Sequence, residues 1–247
     1  MLKKIDAGLC AVADLALPRT CEVCGRKLFL FERFLCLECL SDIPYTFFWT
    51  MRVNPMADKF NGKVQEHIRS GAHETYIHCA SLFFYSESNS YKNIPQTLKY
   101  GAKLKEGSFF ARELGRRLKD SPLFEEVDAV IPVPLHWIRR WRRGYNQSEV
   151  IAKELSKELG ARMRTDILRR RRYTGTQTRL SAEKKVRNVS GAFKVMKKDP
   201  SIHHILLVDD TFTTGSTLYE CFRTLRERYT ASVKISVVTL CYVSDGA

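Results

Sequence analysis

No stretch of about 18 apolar residues occurs in the 247-residue chain, so its sequence offers no membrane-spanning helix. A G-K-S/T phosphate loop is also missing, as is a G-x-G-x-x-G dinucleotide turn. There is no internal repeat and no low-complexity tract, which excludes solenoids and disordered tails as the main architecture. Lys3 and Lys4 precede an apolar stretch, but Asp6 and Asp14 interrupt it and its apolar residues fall at helical spacing. Met1 to Pro18 therefore reads as an amphipathic helix of a cytoplasmic protein. Acidic residues are scarce in one place. Between His136 and Lys198 stand nineteen Lys/Arg against five Asp/Glu, an excess that equals the net charge of +14. A basic surface of that size calls for an anionic partner, either a polyphosphate substrate or nucleic acid.

Turning to what is present, four of the eight cysteines form two C-x-x-C pairs, Cys21/Cys24 and Cys36/Cys39, with eleven residues between them. Each pair can turn two thiolates toward one ion, and two pairs complete a tetrahedral site of the structural zinc kind. Redox-active pairs are the alternative, though two flanking so short a loop would be unusual. Four thiolates leave no open coordination position, so such a metal serves folding. Cys10, Cys79, Cys221 and Cys241 lie in apolar surroundings and read as core residues.

The most informative stretch is Ile205 to Leu218. Ile205-Leu206-Leu207-Val208 reads as a strand buried on both faces, as in a parallel sheet. Asp209 and Asp210 sit where that strand would emerge. From Thr211 to Thr217 all but Phe212 are hydroxyl residues or glycine, suited to a turn and a helix start. Leu218, Cys221, Phe222 and Leu225 then repeat at helical spacing. A strand, a hydroxyl-rich turn and a helix N-terminus together make an anion site.

A second turn of this type follows Val127 to Ile131, a buried strand that ends in Pro132-Val133-Pro134. Arg139, Arg140, Arg142 and Arg143 come next, and Gly144-Tyr145-Asn146-Gln147-Ser148 opens a helix to about Gly160. Arginine forks suit pyrophosphate oxygens. Further strands are expected at Ala80 to Tyr85, Arg164 to Leu168 and Val233 to Val243, with helices from Ile94 and from Ser108 to Lys119. Tyr173 to Phe193 reads as a long functional surface loop. Strands alternating with helices indicate a parallel α/β sheet, with ligands beyond the strands' carboxyl ends.

These motifs are similar, across nearly the whole chain, to the ComF/GntX family of the type I phosphoribosyltransferase superfamily. The resemblance rests on the Cys ribbon, Lys99-Tyr100-Gly101, Pro132-Val133-Pro134, Arg143-Gly144-Tyr145-Asn146-Gln147, Gln177 with Leu180-Ser181, Arg187-Asn188-Val189 and Asp209 to Thr217. It implies an α/β, parallel-sheet type I phosphoribosyltransferase fold with a small N-terminal zinc ribbon held by Cys21, Cys24, Cys36 and Cys39. The N-terminal helix and ribbon would occupy residues 1–45, a linker or hood 46–75, and the phosphoribosyltransferase-like domain 76–247. It implies that Asp209 and Asp210 act at the ribose of phosphoribosyl pyrophosphate (PRPP) beside Mg²⁺. Thr211, Thr213, Thr214, Gly215, Ser216 and Thr217 would hold the 5′-phosphate. Lys99, Arg143, Asn146, Gln147, Gln177 and Arg187 would serve the pyrophosphate and the lid, which corresponds to Thr174 to Phe193. Transfer of a phosphoribosyl group, with a link to DNA uptake in natural competence, is the implied activity. Two alternatives stand beside it: a single-stranded DNA accessory module using the basic block of residues 136–198, and a regulator that senses PRPP or a nucleotide without turnover. Trp137 and Trp141, set among arginines, could stack on unpaired bases or pack against the ribbon.

Overall fold

The computed structural model describes residues 18–67, 74–86, 91, 94, 104–172 and 191–244. Five parallel strands form the central sheet: β1 (Cys79–Tyr85), β2 (Ala129–Pro132), β3 (Arg162–Met163), β6 (His204–Phe212) and β7 (Lys234–Val243). Their spatial order is β1-β7-β6-β2-β3. Two short strands, β4 (Leu168–Arg170) and β5 (Phe193–Val195), pair antiparallel beside it. The apolar run Ile205 to Val208 and the fully buried run Ile235 to Cys241, apolar but for Ser236 and Thr239, explain why β6 and β7 lie inside the sheet, where both faces are covered.

Right-handed crossovers decide which face each helix covers. The helices α3 (Leu104–Lys119) and α5 (Gln147–Leu159) connect β1 to β2 and β2 to β3, steps in one direction along the sheet, and pack against each other on one face. Gly115 permits their close approach, because a Cβ there would lie 2.8 Å from Cβ of Glu158. The step from β6 to β7 runs the other way, so α6 (Ser216–Arg226) joins α2 (Pro55–His67) on the opposite face. The chain direction thus reverses between β2 and β6. In open α/β sheets that reversal opens a crevice at the strands' carboxyl ends.

Helix α2 lies in the stretch expected as linker or hood, and its Met56, Ala57, Phe60 and Val64 are buried in the main core. Asn54 caps it, accepting from Ala57 N at 2.9 Å, and Pro55 fits the first helical position. Before it come the short helix α1 (Leu37–Ser41) and then Pro44 to Thr46, which lies against the β1 edge, with Thr46 N donating to Leu82 O at 3.1 Å and Phe84 N to Pro44 O at 2.9 Å. That cover removes an open sheet edge.

Three expectations change. The strand expected at Arg164 to Leu168 is two strands, β3 and β4, because Arg164 pairs with Asp166 and Asp199 and turns the chain between them. The arginines after Pro134 form their own helix, α4 (Trp137–Arg143), since His136 caps its start and Gly144 ends it at φ +78°. Trp137 and Trp141 do not pack away: they are 67% and 82% exposed. All but the last residue of the amphipathic helix expected at Met1 to Pro18, all but the first residue of the helix begun at Ile94, and most of the long loop lie outside the described residues.

Candidate functional site

β2 ends at Pro132, which pairs with Val208 and cannot extend the ladder. β6 continues four residues further on its β7 side, with Asp209 opposite Thr239 and Thr211 opposite Cys241. Asp209 and Asp210 are therefore still in the strand rather than past its end, and they flank the space that β2 vacates. This is the switch-point crevice.

The two strand-to-helix connections meet there through one hydrogen bond. Asn146 caps α5, accepting from Ser148 N at 3.2 Å, while its Nδ2 donates to Val133 O at 3.0 Å. That brace brings Ser148 across to Asp209, and its Oγ donates to Oδ1 at 2.9 Å. Asp210 N donates to the same oxygen at 2.9 Å. Past the acids, Phe212 is buried against Phe60 and Tyr242. Gly215 caps α6 at φ +71°, and a Cβ there would lie 2.7 Å from Cζ of Phe212. Only glycine allows this tight approach. Thr214 and Ser216 hydroxyls stand 3.0 Å apart at the helix start. Oγ1 of Thr211 and Nε2 of Gln147 are buried without a hydrogen-bond partner among the described residues. Buried polar atoms of that kind normally meet a partner, so both suit a polar ligand.

The residues expected from the sequence divide accordingly. Asp209, Asp210, Thr211, Thr213, Thr214, Gly215, Ser216 and Thr217 form the β6–α6 turn; Asn146 and Gln147 start α5; Arg143, half-buried, ends α4. Lys99, Gln177 and Arg187 lie outside the described residues. Two neighbours carry little signal in the sequence. Ser148 looks like an ordinary first-turn serine there. Arg170 is one of four consecutive arginines, but as an inward position of β4 it lays its guanidinium 5.3 Å from the Phe193 ring centre. Burial, and then Arg139, push its pKa down, while Cys221 and the carboxylate of Asp209 pull it up. Strand alternation would single it out, once the strand is known.

A separate cluster stands at the N-terminal side. The Sγ atoms of Cys21, Cys24, Cys36 and Cys39 all lie within 4.8 Å of one another, with Cys24 and Cys36 at 3.7 Å. Zn–S bonds near 2.3 Å in a tetrahedron place sulfurs about 3.8 Å apart, so the cluster fits a metal such as zinc. Tyr91 ties it to the domain, its hydroxyl donating to Cys39 O at 2.8 Å. Among the described residues no helix is long and apolar enough to cross a membrane.

Residues 145–246 match the family described as phosphoribosyl transferase domain. The chain is 42% identical over 102 residues to competence protein F of Haemophilus influenzae, covering 40% of this chain and 44% of that protein. It is 39% identical over 108 residues to the DNA utilization protein YhgH of Escherichia coli O6:H1, covering 44% and 47%. The chain thus spans about half the length of the curated relatives it matches. A hypoxanthine phosphoribosyltransferase from Staphylococcus aureus aligns over 56% of this chain and 64% of its own, at 19% identity and a TM-score of 0.34, too loose a likeness to bear on function.

Proposed function

We propose that this chain, a ComF-type member of the type I phosphoribosyltransferase superfamily, binds Mg²⁺·PRPP in the β2/β6 crevice and transfers its phosphoribosyl group to an acceptor. One observation carries the reading: the Ser148–Asp209 hydrogen bond joins a strand-to-helix phosphate turn and an arginine-rich turn at the switch point. Asp209 and Asp210 accept from the ribose hydroxyls and, being hard oxygen ligands, suit Mg²⁺. Thr213 to Thr217 and the free N–H groups starting α6 receive the 5′-phosphate. Arg143 and Arg170 face the pyrophosphate, and Lys99, Gln177 and Arg187, which lie outside the described residues, are its further ligands in this reading. Magnesium offsets phosphate charge when bound. The residues' part is to orient the ribose and stabilise the departing pyrophosphate at fixed positions. Zinc in the ribbon serves folding, and the setting is cytoplasmic.

Calorimetry at micromolar protein tests this. Heat of PRPP binding is expected only with Mg²⁺, and Asp209→Asn should abolish it. No Mg²⁺-dependent binding in the parent protein overturns the reading. Pyrophosphate release in an acceptor screen then separates transfer from sensing.

A second role, binding single-stranded DNA through the basic block, draws support from the exposure of both indoles on α4. Trp137 and Trp141 are four residues apart, hence on one helix face, spaced as successive stacking platforms. Oligonucleotide titration at several salt concentrations tests it, and a flat salt response counts against it.

A further inference from the structure

The β4–β5 hairpin carries cations that the crevice does not use. Leu168, Phe193 and Val195 are buried, so Arg169, Arg171, Lys194 and Met196 project from the other face. Arg169 stands directly opposite Lys194 in the register. Like charges so placed weaken a strand pair. Among the described residues, none of Arg169, Arg171 and Lys194 has a side-chain hydrogen bond or ion pair. Nor are nearby acids available to them. Asp166 is engaged by Arg164 at 2.8 Å, and Glu149 by Arg140 at 2.6 Å.

This face overlooks a groove of about 790 Å³, whose far wall runs from Pro134 to Arg140 and includes Trp137. The size is that of a small-molecule site. Unmet cations on one wall call for an anion, and an exposed indole on the other calls for a flat ring. A nucleotide has both.

We propose that the groove, which adjoins the crevice at Arg170, is a second nucleotide site, with phosphates against Arg169, Arg171 and Lys194 and the base on Trp137. The ligand is either a free nucleoside polyphosphate or a nucleotide unit of a single strand. The proposal rests on the DNA reading only for that choice, and does not rest on PRPP binding.

Tryptophan fluorescence tests it, because Trp49 is buried and Trp141→Phe leaves Trp137 as the one exposed indole. In that background, ATP and an oligo-dT are titrated, with inorganic triphosphate as the ring-free control. Saturable quenching by ATP or the oligomer is expected, and inorganic triphosphate should compete without quenching. Tighter binding of the oligomer assigns the site to a strand, and tighter ATP to a free nucleotide. The double variant R169Q/K194Q should bind at least about tenfold more weakly. Its thermal midpoint should rise, since the opposed charges are gone, so weaker binding cannot be blamed on misfolding. Its PRPP heat should match the parent's. Absence of quenching by both probes, or unchanged affinity in R169Q/K194Q, overturns the proposal. Loss of PRPP binding in that variant likewise overturns it, because the groove would then be part of the crevice.

Discussion

Ser148 is a small side chain with a large say in how Asp209 is presented. Its hydroxyl and the Asp210 amide both donate to Oδ1, which fixes how the carboxylate is turned toward a ribose diol. A hydrogen bond to a charged group contributes about 1.5–3 kcal/mol, so Ser148→Ala should weaken PRPP binding roughly ten- to hundredfold. Calorimetry reads this directly, and undiminished affinity would show that the carboxylate is oriented by other contacts. His204 illustrates the opposite case, a residue whose role is stability. Its Nδ1 meets Glu125 O at 2.8 Å and its Nε2 the Ser236 hydroxyl at 3.0 Å, so the neutral ring donates at one nitrogen and accepts at the other. Burial first, then Lys234, pushes its pKa down from 6.5 to about 4. The unfolded chain therefore takes up a proton below pH 6.5 that the folded chain refuses until about 4. Stability is intact above that window and falls through it, by roughly 3 kcal/mol in all. Urea midpoints between about pH 7 and 4.5 should drop more steeply for the parent than for His204→Gln. Parallel curves would exclude His204 as the source.

Among the elements, those written in local chemistry are legible from the sequence. The β6–α6 unit follows from one apolar run, two acids and a glycine that must adopt positive φ, all contiguous. Helix α2 escapes such a reading although Asn54-Pro55 marks its start, because its apolar positions do not stand out until the core receives them. Likewise α4 hides among arginines, since its cap depends on His136 accepting from Ile138 N across the turn. The division between β3 and β4 depends on Asp199, far along the chain, and no local pattern announces it. The ribbon is legible from spacing alone, and its dependence on metal can be tested. Few apolar side chains, chiefly Leu28, Leu35 and Ile43, are buried within it, while Phe34 leans on Phe109 at 5.6 Å. Without an ion, the thiols have little else to hold them together. Chelation, or Cys36→Ser, should release one zinc per chain by elemental analysis and open residues 18–45 to protease while the sheet persists by circular dichroism. A protease pattern indifferent to chelator would show that the thiols hold no structural metal.

At the scale of the whole molecule, the basic block of residues 136–198 is one run in the sequence but several surfaces in space. Part of its charge is answered internally, by Glu149 on Arg140, Glu154 on Lys157, and Asp166 and Asp199 on Arg164. The side chains of Arg142, Arg143, Arg169, Arg171, Arg172, Lys194 and Lys198 have no such partner among the described residues. Net charge alone could not make that division, because it depends on which acids the fold brings near. Each cation that meets a phosphate of a single strand releases counterions and adds about −0.7 to the slope of log affinity against log salt. If all seven bind phosphate, the slope should lie near −5. Removing two of them in R169Q/K194Q should bring it to about −3.5, whereas Lys157→Gln, which takes away a cation already paired with Glu154, should leave it unchanged. Equal slopes for the parent and R169Q/K194Q would mean that the hairpin cations do not touch the strand. A slope lowered as much by Lys157→Gln would mean that the response follows net charge rather than a built surface.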